Sequence, residues 1–143
     1  MRPVRTSLAT IATAGAVGSL GVVGVAGAAT TLKATLKGSN EVPKAASGSG
    51  TATLTLDDKK GQVCYRFTLK NVAKPTAAHI HQGKAGVAGP AVVPLFTKTP
   101  SKLNGCVTAK TSVIKSIEKS PAQYYVNVHT AQYPNGAARG QLH

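Results

Sequence analysis

Apolar and polar residues alternate with a period of two over most of the chain after residue 30, and this restricts the fold more than any other feature. Leu32, Ala34 and Leu36 interleave with Thr31, Lys33 and Thr35. Ala52, Leu54 and Leu56 interleave with Thr51, Thr53 and Thr55, and Val63, Tyr65, Phe67 and Leu69 with Cys64, Arg66, Thr68 and Lys70. Successive side chains of a strand leave opposite faces of a sheet, so each run reads as a strand with one wet and one buried face. Asp57 to Gly61 separates the second and third runs and ends in Gly, which predicts a hairpin. Ala91 to Phe96 and Tyr124 to Thr130 are rich in Val and Tyr and read as further strands, with Ala138 to Leu142 as a closing strand. One helical signal stands among them, Ser112 to Lys119, where Val113, Ile114 and Ile117 share a face before Ser120-Pro121 ends it. Asn40 to Gly50 and Gln82 to Pro90 read as loops. The expected fold is all-β, an antiparallel sandwich or flattened barrel with one short helix.

Residues 1–29 form a different segment. Arg2 and Arg5 precede a long run of apolar and small residues that ends in Ala26-Gly27-Ala28. This is the layout of a secretory signal peptide cleaved after Ala28 or one residue later. The rival is a membrane anchor, but a run built from Gly, Ala and Thr rather than Leu favours cleavage. The expected organisation is therefore a signal peptide over 1–29 and one β domain over 30–143, with no membrane span after processing and a secreted or cell-surface location.

The leader carries two of the 17 basic residues and none of the four acidic ones, so the processed chain has 15 against four, a formal charge of +11. Outside a cell such a charge is drawn to anionic polymers or to an acidic extracellular protein. Nucleic acid is excluded as the expected partner, because the lysines are scattered and no basic run is interleaved with stacking aromatics. Cys64 and Cys106 are the only cysteines, and in an exported chain they read as a disulfide rather than two buried thiols.

The acids limit the chemistry further. A Ser-His-Asp arrangement needs a carboxylate to orient the imidazole. Asp57 and Asp58 lie in a turn and Glu118 ends a basic helix, so no catalytic residue is assigned. Glu41, a lone acid before Val42-Pro43, is expected to pair with Arg139 and pin its loop to the last strand.

Taken together, the blocks resemble the CHRD domain, the module named from chordin and also found in secreted bacterial proteins. The matching residues are Leu36 to Pro43, then Ala77-Ala78-His79-Ile80-His81 with Gly83, Gly86, Gly89 and Pro90, then Pro121 to Thr130, and last Gly136 with Arg139 to Leu142. Lys44 departs from the pattern, where the family often has a second proline. The resemblance implies an exported β-rich binding or interaction module and supplies no reaction. A weaker similarity runs to copper-zinc superoxide dismutases, whose β-sandwich carries a His-x-His pair and a later copper-binding His. It implies an Ig-like or superoxide-dismutase-like sandwich and, as the alternative function, a copper-dependent redox enzyme. The histidine that bridges the two metals there, with its zinc ligands, has no evident counterpart here.

His79 and His81 stand two apart, so on a strand they share a face with Cα atoms about 6.6 Å apart. Two imidazoles hold a metal weakly. His129 shares a face of its strand with Tyr125 and Asn127, and if the two strands are neighbours it completes a three-nitrogen set. Such a set suits copper first and zinc second, and would lose its ion below about pH 6 as ordinary imidazoles protonate. The competing role for the same residues is structural: His79 and His81 would bond the glycine loop after them, and His129 the turn at Tyr133 to Gly136. His143, as the last residue, is expected to be mobile.

Overall fold

The computed structural model describes residues 27–45 and 47–143, so all but the last three residues of the expected leader lie outside the described part. The strands are β1 (Thr30–Lys37), β2 (Ser49–Asp57), β3 (Gln62–Lys70), β4 (Pro75–Gln82), β5 (Ala91–Phe96), β6 (Asn104–Thr108), β7 (Tyr124–Thr130) and β8 (Ala138–Gln141). One α-helix, α1 (Thr111–Lys119), follows β6, and single 3-10 turns cover Gly38–Asn40 and Pro121–Gln123.

The alternating runs pair in the register their apolar faces demand. Leu32 stands opposite Leu54, Ala34 opposite Ala52, Leu56 opposite Val63, and Ala52 opposite Phe67. A slip of one residue would turn every one of these side chains to solvent, so burial of one face locks the pairing. The β2–β3 hairpin closes through Asp58 to Gly61. Gly61 takes φ +61°, and the Lys60 N–H donates to Asp57 Oδ1 at 3.0 Å.

All pairings are antiparallel and run in the order β5-β4-β7-β8-β1-β2-β3-β6. The two edge strands, β5 and β6, come into contact, so the sheet curls into a flattened, nearly closed barrel. Leu36, Leu54, Leu56, Ile80, Val93, Val126, Val128 and Leu142 meet in one core. Helix α1 adds Ile114 and Ile117 to it, both fully buried, and begins one residue before the expected start. The expected all-β architecture with one short helix is the one observed. Strand β6, which the sequence pattern did not mark, completes it.

Strand β7 is buried on both faces: Tyr124, Val126 and Val128 enter the core, while Tyr125 and Asn127 are covered on the other side. That outer face of β4, β7 and β8 is the structural basis of the candidate site. The C-terminus is not loose, because Lys33 and His143 exchange backbone hydrogen bonds of 2.9 and 3.0 Å across the β1–β8 seam.

Candidate metal centre

Strands β4 and β7 are direct neighbours in the sheet although about fifty residues separate them in sequence. Their register places His79 opposite Asn127, His81 opposite Tyr125, and Ala77 opposite His129. The three histidines therefore project from one face, and a ligating atom of each lies within 4.8 Å of the others. Among the described residues this is the group of His, Cys, Asp and Glu side chains able to hold an ion. His143 is not part of it.

Backbone carbonyls set the protons on two of the rings. His81 Nδ1 lies 2.8 Å from the Gly89 carbonyl, and His129 Nδ1 lies 2.8 Å from the Pro134 carbonyl. A carbonyl only accepts, so both Nδ1 atoms carry the hydrogen and both Nε2 atoms are left with a lone pair. His129 Nε2 then accepts from His79 Nδ1 at 3.0 Å. For His81 and His129 the two roles weighed thus coexist on one ring, where one nitrogen fixes a loop and the other faces the cluster, while His79, expected to bond the glycine loop, bonds His129 instead. Hydrogen bonds of this kind, from the far nitrogen to a carbonyl, are what orient metal-ligating imidazoles.

Burial also keeps the rings neutral. His79 is pushed down to about 4 by loss of solvent, with His129 and His81 adding repulsion. His81 and His129 are lowered from 6.5 for the same first reason, against the opposing carbonyl bonds from Gly89 and Pro134. Neutral imidazoles with free lone pairs are metal ligands without first losing a proton. The 3.0 Å between His79 Nδ1 and His129 Nε2 falls within the roughly 2.8–3.3 Å that separates two nitrogens bound about 2.0 Å from one ion at square to tetrahedral angles. An ion would replace the shared hydrogen, with the His79 proton moving to Nε2. The residues present fit copper or zinc.

A second layer supports the cluster. The His81 ring stacks on Tyr125 with centroids 4.8 Å apart and planes 8° from parallel, and the Arg139 guanidinium lies 4.0 Å from the centre of the Tyr125 ring. Arg139 Nε donates to Glu41 Oε2 at 3.0 Å and its Nη1 to the Val87 carbonyl at 2.8 Å. The Glu41–Arg139 pair is buried, with side-chain exposures of 1% and 3%, and joins the loop after β1 and the loop after β4 to β8. Gly136, at φ +135°, has the Glu41 carboxylate where a Cβ would stand. Tyr125 and Asn127 were legible as neighbours of His129 from the period of two. Their contact with His81 was not, because it depends on which strand lies beside β7.

Cys64 and Cys106 are directly opposite across β3 and β6 and are bonded. With fold and site described, comparison with known families is decisive on kinship: the family model described as the CHRD domain matches residues 32–142. The chain belongs to the CHRD family. No curated protein and no solved structure matched it. The CHRD match takes in His79, His81, His129, Glu41, Arg139 and both cysteines. A CHRD domain is extracellular in type, and the disulfide fits an oxidising compartment. Among the described residues no helix is long and apolar enough to cross a membrane.

Proposed function

We propose that this CHRD domain is an exported binding module that holds one copper ion between His79, His81 and His129 and adheres through its basic surface to anionic polymers of the cell exterior. The observation that carries the metal reading is the orientation of the rings. Both carbonyl-anchored imidazoles turn Nε2 inward, and His81 Nε2 is buried with no hydrogen-bond partner. An inward lone pair left without a donor costs on the order of 1–3 kcal/mol, which a bound cation removes. Copper stands ahead of zinc because nitrogen sites follow the Irving–Williams order.

Calorimetric titration of tag-free protein tests this reading. One copper ion is expected to bind per chain, more tightly than zinc, and His79→Ala, His81→Ala or His129→Ala to weaken binding about a hundredfold. The lowered pKa values fix the pH dependence. Since the folded rings stay neutral below 6.5, affinity is expected to hold from pH 7 to 6 and to fall toward pH 4, lower than for ordinary imidazoles. In the apo protein the same depression means that the unfolded chain takes up protons first. Stability therefore falls as pH drops from 6.5 toward 4. A variant lacking all three histidines that binds copper as tightly as the unaltered protein would refute the site. Dismutation of superoxide by the copper-loaded protein, well above that of the triple variant, would replace the binding reading with the redox one.

All thirteen lysines are exposed and scattered. Lysines spread in this way act as point charges without bidentate geometry, so they favour loose adhesion. Retention on anionic wall polymer is expected at low salt and to vanish near 0.5 M, where the screening length is about 4 Å. Retention that survives that salt would instead indicate a specific binding site.

A further inference from the structure

Asn127 sits at the centre of the outer face, opposite His79 on β4 and opposite Arg139 on β8. It is 2% exposed, and its Oδ1 is buried with no hydrogen-bond partner. Its side chain leaves the sheet on the face that carries His79, His81 and His129. His81 Nε2 is the other unpartnered atom here, and with Nδ1 committed to Gly89 it is an acceptor. Two buried acceptors thus lie on one face of the paired strands β4 and β7, each without a hydrogen-bond partner. One cation between them would satisfy both.

We propose that Asn127 Oδ1 is the fourth ligand of the copper site, so that the set is three imidazole nitrogens and one amide oxygen. This rests on the copper reading above and adds to it a residue that the histidine pattern did not point to. The consequence is functional. A mixed N,O set of four suits divalent copper. A fourth protein donor also holds the ion more firmly than three imidazoles alone. Anchoring on β7 between Tyr125 and His129 also makes the ion a staple between β4 and β7.

The test is copper titration together with electron paramagnetic resonance of the copper-loaded protein, on unaltered protein, Asn127→Leu and Asn127→Asp. Asn127→Leu is expected to weaken binding about 10- to 100-fold and to change the copper hyperfine splitting as an oxygen donor is lost. Asn127→Asp, which keeps an oxygen in place and adds charge, is expected to retain or tighten binding with a different spectrum. It also keeps the question answerable if the Leu variant does not fold. If Asn127→Leu binds with unaltered affinity and spectrum, Asn127 is not a ligand while the three-histidine site stands. If Asn127→Asp weakens binding as much as Asn127→Leu, the amide nitrogen faces His81 as a donor and the proposal is overturned. Failure of the unaltered protein to bind copper overturns both.

Discussion

Replacing Glu41 with alanine is expected to destabilise the protein by about 3–5 kcal/mol, the usual cost of leaving one partner of a buried ion pair alone. The guanidinium of Arg139 cannot shed its proton. In the variant it would stay charged, 3% exposed, with the Tyr125 ring and the Val87 carbonyl as its remaining partners. Arg139→Met is expected to cost less at low pH, because Glu41 can neutralise itself. Burial raises the Glu41 pKa above 4.5 even against the opposing guanidinium, and removing Arg139 raises it further. A group with a raised folded pKa contributes its full stability below the unfolded value and loses it as pH rises through the folded one. The deficit of Arg139→Met relative to the unaltered protein should therefore shrink as pH falls from 7 toward 4.5, while that of Glu41→Ala should not. A buried ion pair is often matched by well-packed apolar residues of similar volume. Glu41→Leu combined with Arg139→Met is expected to recover much of the single-variant losses. Urea melts at pH 7 and pH 5 decide this. Two single variants each within about 1 kcal/mol of the unaltered protein would show that the pair does not hold the loops.

The second large effect is expected from the cysteines. Strand β6 lies at the end of the sheet order, hydrogen-bonded on one side to β3, and Cys106 fastens it to Cys64. The cross-link joins residues 42 apart in sequence. On the loop-entropy estimate, closing a loop of that length constrains the unfolded chain by about 4 kcal/mol. The core it supports has two Phe and no Trp, and a domain this small has a total stability of only about 5–15 kcal/mol. Cys64→Ser with Cys106→Ser is expected to lower Tm by on the order of 10–20 °C. Thermal melts with and without reductant, beside a thiol assay under denaturing, non-reducing conditions, check it. Two free thiols in the unreduced protein would remove the premise, and a Tm unchanged by reductant would show that β6 is held by pairing and packing alone.

The sequence by itself determined which residues face inward on most strands, because alternation is local: the pleat sends neighbours to opposite faces whatever the rest of the chain does. The core faces of β1, β2 and β3 and the shared face of Tyr125, Asn127 and His129 followed from it, and the helix carrying Ile114 and Ile117 followed from its own helical spacing, which is equally local. Chemistry of rare residues was legible for a similar reason. With four acids and two cysteines, few pairings exist, and both Glu41–Arg139 and Cys64–Cys106 form. Strand β6 escaped notice because Gly105 and Val107 are the whole of its inward signal over five residues. What only the tertiary structure decided is which strands lie side by side. The adjacency of β4 and β7 depends on closing the whole barrel, a global balance of packing against loop entropy that no local stretch expresses. That adjacency converts three histidines on two strands into one cluster. It also puts the unpartnered Asn127 Oδ1 and His81 Nε2 on one face, whereas the carbonyls of Gly89 and Pro134 that place the protons lie near His81 and His129 in sequence and were legible there.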